Sequence, residues 1–447
     1  MKQRIFSIRC SALVLSLVFG GICILGFAAQ GADSPAPPSL SPVSTNVLTL
    51  DDSIRMALEN NPELRVSIGR VDAAAGRAYQ AKLWTNPELA LSAEDLPMGG
   101  GGFSNAKKLV GVTQSVPFPG KKKLDRQVGA AGVRASETEL SLRRLELVRD
   151  VKTAFYQVLA ADRLTEAAGE LVKVADSSAD TARKRVVAGA APDQEQLRAE
   201  IPLEQARTGL AGFERERVTA RQTLTMLLGR SDLADTPLSG ALAESANLAL
   251  LEQGPSQWLS RHPSVVAART SRERAGLELR RARLEPYPDV KFGVSAGEEA
   301  GREGSIVQFG ISLPLPIIDR SKGRKQEARA NVDIAEADSV AIEQRLLRAW
   351  GTASRRLRTA DGQVASYRER ILPKANEALR LVQRGFEEGK FGFIDLLDTQ
   401  RTAAEARLAY LQKLLELNVA QADLEALVGQ PDVDVKTTSS SQPATKH

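Results

Sequence analysis

Residues 289–296 read DVKFGVSA, and residues 306–313 read IVQFGISL. In the first stretch Val290, Phe292, Val294 and Ala296 share one face of an extended chain, opposite Asp289, Lys291, Gly293 and Ser295. In the second, Val307, Phe309, Ile311 and Leu313 alternate with Ile306, Gln308, Gly310 and Ser312. Period-two alternation over about ten residues suits a strand with lipid on one side and water on the other. A half-buried soluble hairpin alternates in the same way. The membrane reading is favoured by a secretory N-terminus and by the lack of any partner sheet in the pattern.

These strands have counterparts about 200 residues upstream. GVTQSVP at Gly111–Pro117 returns as GISLPLP at Gly310–Pro316. Asn61-Pro62 returns as His262-Pro263, and Asn86-Pro87 as Tyr287-Pro288. Gly189 returns as Gly389, and Leu228-Gly229 as Val428-Gly429. Self-similarity at this length means one duplicated, domain-sized module. Strands are expected over Pro87–Leu96, Ala106–Val116, Pro288–Glu298 and Ser305–Leu315, with a turn at Gly99–Gly102 joining the first two. Four strands cannot close a barrel, which needs roughly eight, and open edges cannot sit in lipid. Several chains must therefore share one barrel.

Composition and termini set the compartment. Lys2, Arg4 and Arg9 precede an apolar run from Ala12 to Phe27, and small residues around Gly26, Ala28 and Ala29 offer a cleavage site. Residues 1–31 thus read as a signal peptide, since about 16 apolar residues are short for a span of roughly 20. A retained anchor is the alternative. Residues 32–47 form a Pro- and Ser-rich leader, and 430–447 a polar tail expected to be disordered. Both cysteines, Cys10 and Cys23, lie in the signal, so the mature chain has no disulfide or thiolate metal site. Lipidation of Cys23 is disfavoured by Ile22 before it and Ile24-Leu25 after it. The formal charge is +5, but aromatic residues make up 4% and no basic stripe is interleaved with them, which argues against nucleic acid.

The rest reads as helix. Leu50-Asp51-Asp52-Ser53 opens a short helix, and Pro62 starts a second running to about Trp84. Gly120 to Ala188 holds no proline; as one helix it would span roughly 100 Å. After a break at Gly189–Pro192 a return helix reaches Leu228, with a kink expected at Pro202. In the second half Pro263–Glu285 is helical, and Ser321–Glu388 is helical with a kink at Pro373. A break at Gly389–Gly392 follows, then a return over Phe393–Val428. The repeats are bounded at 48–229 and 255–429, with 230–254 as linker. The last helix carries two apolar lines, Leu397, Ala404, Leu408, Leu411, Leu415, Ala422 and Tyr410, Leu414, Leu417, Leu424, Val428. Two lines let a helix touch a neighbour on each side, as a cylinder of helices requires; a broad bundle face reads the same way.

Together with LTLDDSIRMALENNPEL (residues 48–64), TQSVPFPGKK (113–122) and GFEEGKFGFIDLLDTQ (385–400), this organisation resembles the TolC-type outer-membrane efflux factors. Among subgroups it is most similar to the CzcC-like components of heavy-metal efflux systems. The resemblance implies a mainly α chain with a small β part: long coiled-coil-like hairpins and four transmembrane strands. Three copies would supply a 12-stranded barrel in outer-membrane lipid and an α-helical tunnel through the periplasm. It further implies a periplasmic adaptor and an inner-membrane pump of the RND type, with this chain as a passive duct that needs no cofactor.

On that resemblance, Gly189, Pro192, Gly389 and Gly392 fall at the hairpin tips where an adaptor would dock. Asp395 and Asp398, three apart and so on one helix face, match the aspartate rings around a closed aperture, with Phe391 beside them. As residues alone they are equally first-turn acids favourable at a helix N-terminus. Their counterparts in the first repeat are Glu195 and Arg198. Phe386 and Phe391 stand where some members place a tyrosine and arginine latch, so that latch is not carried over. A periplasmic adaptor or coiled-coil structural protein is the runner-up, disfavoured by two hairpins with so few strands. Catalysis is disfavoured because the chain holds two histidines, His262 and His447, and no nucleophile elbow, P-loop or metal-ligand cluster.

Overall fold

The computed structural model describes residues 47–94, 106–252, 254–299 and 304–429. The signal, the leader up to residue 46, the tail, and the turn at Gly99–Gly102 lie outside them. Helix α1 (Leu50–Asn60) is capped by Thr49, whose hydroxyl accepts the Asp52 N–H, so the cap stands one residue before the expected start. Asn61 then ends α1 and caps α2 (Pro62–Lys82). Its Oδ1 accepts from Glu63 N and Leu64 N, while its Nδ2 donates to the Leu227 carbonyl at 2.9 Å. His262 stands at the same place before α5 (Pro263–Arg283), where Nδ1 accepts from Ser264 N at 3.2 Å.

Strands β1 (Glu88–Glu94), β2 (Lys107–Val116), β3 (Val290–Glu298) and β4 (Ser305–Ser312) form one antiparallel sheet in chain order. The repeats meet at its centre, where Val112 pairs with Val294. The register puts Leu89, Val112, Val294 and Phe309 in one row, and Leu91, Val110, Ala296 and Val307 in the next. That face is apolar and largely uncovered: Leu91 is 76% exposed and Phe309 81%. The opposite face carries Thr113, Ser295, Gln308 and glycines. A β-carbon on Gly297 would lie 1.7 Å from the Lys108 carbonyl, so the close β2–β3 approach requires glycine there. The alternation read over residues 290–296 and 306–312 is that of the sheet, although β4 ends at Ser312, short of the expected Leu315.

The long helices follow. α3 (Lys121–Val187) is one uninterrupted helix of 67 residues, roughly 100 Å. It packs against α4 (Asp193–Leu228), which runs through Pro202. The second repeat differs. α6 (Lys322–Ser366) passes into a π-helical turn at Tyr367–Ile371 before α7 (Leu372–Glu387), and Leu372 N donates to the Tyr367 carbonyl. Pro373 brings no N–H to the ladder, and the wider turn just before it absorbs the mismatch. α8 (Phe393–Val428) returns.

Two apolar cores lie at the level of the repeats, and a third joins the two hairpins. Ile54, Leu64, Val151, Phe155, Leu224 and Leu228 form one core; Leu250, Leu357, Val364, Leu414, Leu417 and Leu424 form another. Of the two lines on α8, the one through Leu414, Leu417 and Leu424 is buried inside the chain. In the other line Leu397, Ala404, Leu408, Leu411 and Leu415 stay half-buried while Ala422 is buried, and Leu397 and Leu411 also pack on the chain's own cores. The segment between the repeats is strapped down rather than free. Leu48 N donates to the Pro237 carbonyl, Ala246 N to Asp361, and the Asn418 amide bonds both backbone groups of Ala243.

Candidate functional site at the hairpin tips

Both hairpins turn by the same device. Gly189 and Gly389 have φ of +68° and +71°, the left-handed region where a side chain is strained. Gly189 N donates to Val186 O and Ala190 N to Arg185 O; Gly389 N donates to Phe386 O and Lys390 N to Gly385 O. These paired bonds are the Schellman motif, which satisfies the last carbonyls of a helix. Nothing lies within 4 Å of a β-carbon built on either glycine, so conformation and not crowding selects them. Pro192 and Gly392 then occupy the N-cap positions of the return helices, both extended.

Beyond the shared turn the tips diverge. In the first, Arg185 Nε donates to Glu195 at 2.9 Å, an ion pair across the turn. In the second, position 385 is glycine and Asp395 turns inward on its own helix, accepting the Gly392 N–H at 2.9 Å. The Phe391 ring covers Gly385, where a β-carbon would come within 2.2 Å of it. An apolar lid thus replaces an ion pair. Phe391 is 46% exposed on its other side. Asp398 accepts from Arg401 Nη2 at 2.9 Å, with both side chains exposed. Asp395 and Asp398 therefore lie together in the first turns of α8, exposed and each with one local partner.

The residues that join the hairpins were not singled out in the sequence. Phe393 is buried among Ala175, Ala179, Ala182, Ala199, Leu203 and Ala206 of the first hairpin, with Phe386 5.9 Å from it. The alanines at 175, 179 and 182 follow helical spacing and were the available signal. Polar ties lie above this contact: Ser178 Oγ donates to Gln400 at 3.0 Å, Arg407 pairs with Glu170, and buried Lys152 meets Glu425 at 2.8 Å. Truncating one partner of the last pair would strand a buried charge. Among the described residues no group of His, Cys, Asp and Glu is arranged to hold a metal ion, and no helix is long and apolar enough to cross a membrane.

Comparison with known proteins agrees with this architecture. The family model described as "Outer membrane efflux protein" matches residues 53–230 and again 254–430. The cobalt-zinc-cadmium resistance protein CzcC of Cupriavidus metallidurans is 27% identical over 409 residues, which cover 89% of this chain and 95% of that protein. A membrane protein from Pseudomonas aeruginosa has the same fold, with a TM-score of 0.74 at 23% identity over 85% of this chain and 93% of its own. The CusC channel is similar at a TM-score of 0.73 and 17% identity, over 86% and 92%. With an apolar-faced sheet, two long hairpins and a family match on each repeat, the chain belongs to the outer membrane efflux protein family.

Proposed function

We propose that three copies of this chain close one barrel and one tunnel, forming the passive exit duct of a tripartite pump that carries heavy-metal cations to the cell exterior. The observation that carries the reading is the sheet: its apolar face is uncovered and β1 and β4 are edge strands. A single chain would leave those edges unpaired in hydrocarbon, where each unmet backbone group costs several kcal/mol. The half-buried line on α8 supports the same assembly, because it leaves an apolar seam for a neighbouring helix. The cargo class rests on the likeness to a protein named for cobalt, zinc and cadmium resistance. A water-filled duct needs no resident metal site, and energy comes from an inner-membrane pump of the RND type.

In this reading residues 48–229 and 255–429 are the two repeats, with 230–254 joining them. The tips at Gly189, Pro192, Gly389 and Gly392 meet a periplasmic adaptor. Asp395 and Asp398, beside Phe391, ring the aperture; threefold repetition would gather six carboxylates, which attract cations and disfavour closure by like-charge repulsion. The test is single-channel conductance of Asp395→Asn with Asp398→Asn, a pair that keeps an acceptor for the Gly392 N–H while removing charge. Cation selectivity is expected to fall several-fold on the logic of charged pore rings. Unchanged selectivity would refute the aperture role.

A further inference from the structure

The duplication makes one seam of the sheet a template for another. At the β2–β3 seam Thr113 lies opposite Gly293 and Gln114 opposite Phe292. At its lower end Phe118 N donates to Asp289 at 2.9 Å, and buried Lys121 bonds the same carboxylate at 2.8 Å. Phe118 also stacks on Tyr287, with ring centroids 4.7 Å apart.

Each member of this seam has a repeat counterpart on a free edge. Gly111, Gln114 and Val116 correspond to Gly310, Leu313 and Leu315; Asp289, Val290 and Phe292 correspond to Glu88, Leu89 and Leu91. Lys121, the first residue of α3, corresponds to Lys322, the first of α6, and each follows a residue in the left-handed region, Gly120 and Ser321. The counterparts are uncovered where the originals are paired. Lys322 is exposed, the Glu88 side chain is 71% exposed with a long 3.9 Å contact to Lys291 of its own sheet, and Leu89, Leu91, Leu313 and Leu315 are all exposed.

We infer that β4 of one copy pairs with β1 of the next in the register of the β2–β3 seam, with an ion pair between Lys322 and Glu88 of the partner subunit. Gly310 then lies opposite Glu94, and β4, which ends at Ser312 within one copy, extends on pairing to set Leu313 opposite Leu91 and Leu315 opposite Leu89. The register meets an independent requirement: it keeps Leu89, Leu91, Leu313 and Leu315 on the outward face with Val112 and Phe309. A slip of one residue would turn one strand's leucines to the lumen. The contact joins two different edges, so it is heterologous and closes as a ring. This inference rests on the trimer proposed above and adds which residues meet at its seams.

The described residues contain no cysteine, so engineered pairs report cleanly. In outer membranes, Leu91→Cys with Leu313→Cys is expected to give oxidant-dependent covalent trimers, and Leu91→Cys with Ile311→Cys is not. Glu88→Lys or Lys322→Glu alone should lower the yield of trimer at least about tenfold, since it sets like charges against each other; the double reversal should restore it. Trimers that cross-link through Leu91 and Ile311, or a double reversal that restores nothing, overturn the register and its ion pair. Monomeric wild-type protein in the membrane would instead overturn the trimer reading beneath it.

Discussion

Asn61 and His262 solve the same local problem with different chemistry. Each ends one helical segment and caps the next ahead of a proline. The Asn61 amide does so at any pH. The His262 imidazole can accept the Ser264 N–H at Nδ1 only while that nitrogen is unprotonated. Burial holds its pKa below the ordinary histidine value, and its ring stands edge-on to Trp258 at 5.9 Å. Glu146 and Arg149 of α3, Arg356 of α6 and Asp423 of α8 line the same cavity, so nearby charge is mixed. Because the folded state favours neutral His262, its contribution is intact above the unfolded pKa of about 6.5 and is lost as pH falls through the lowered folded value. Thermal melts of wild type should therefore lose stability on acidification below about pH 6.5, by about 1 kcal/mol if the cap is lost. His262→Asn should flatten that component, and an unchanged pH profile in the variant would count against it. The turn glycines were legible in the sequence because each is a local conformational demand. The Phe391 ring over Gly385 was not, because neither residue type announces the other.

At the scale of elements the strand reading makes a two-sided prediction. Phe309 faces outward and Gln308 faces the opposite side of the same strand. Phe309→Lys should cost roughly 2–4 kcal/mol near the bilayer midplane, whereas Gln308→Lys should be tolerated. Unfolding of the trimer in lipid vesicles measures both, and equal effects would mean the faces are misassigned. The long helices show the limit of such reading. A kink at Pro373 follows from the proline itself, but its form, a π turn over Tyr367–Ile371 in one repeat against an unbroken α3 in the other, depends on how the whole ladder adjusts. The N-cap at Thr49, just before the Leu50-Asp51-Asp52-Ser53 opening, is a smaller shift of the same kind.

For the whole molecule, the exposed apolar band and the edge strands predict an obligate oligomer in lipid. The protein should fractionate with outer membranes and run as a heat-modifiable trimer, while a soluble periplasmic monomer would remove the proposal. Repeat structure, strand faces, helix lengths and hairpin turns were determined by the sequence itself. Each is set by a local period, a φ preference or a missing N–H, and those act within a few residues. Which repeat supplies which contact was decided only in the tertiary structure. Phe393 enters the alanine row of the first hairpin, Lys152 reaches Glu425, and β2 pairs with β3, because burial selects partners by complementary shape and charge across more than 170 positions. The tips make the point most sharply: equivalent Glu195 and Asp395 follow the same turn, yet one is held across it by Arg185 and the other by its own helix.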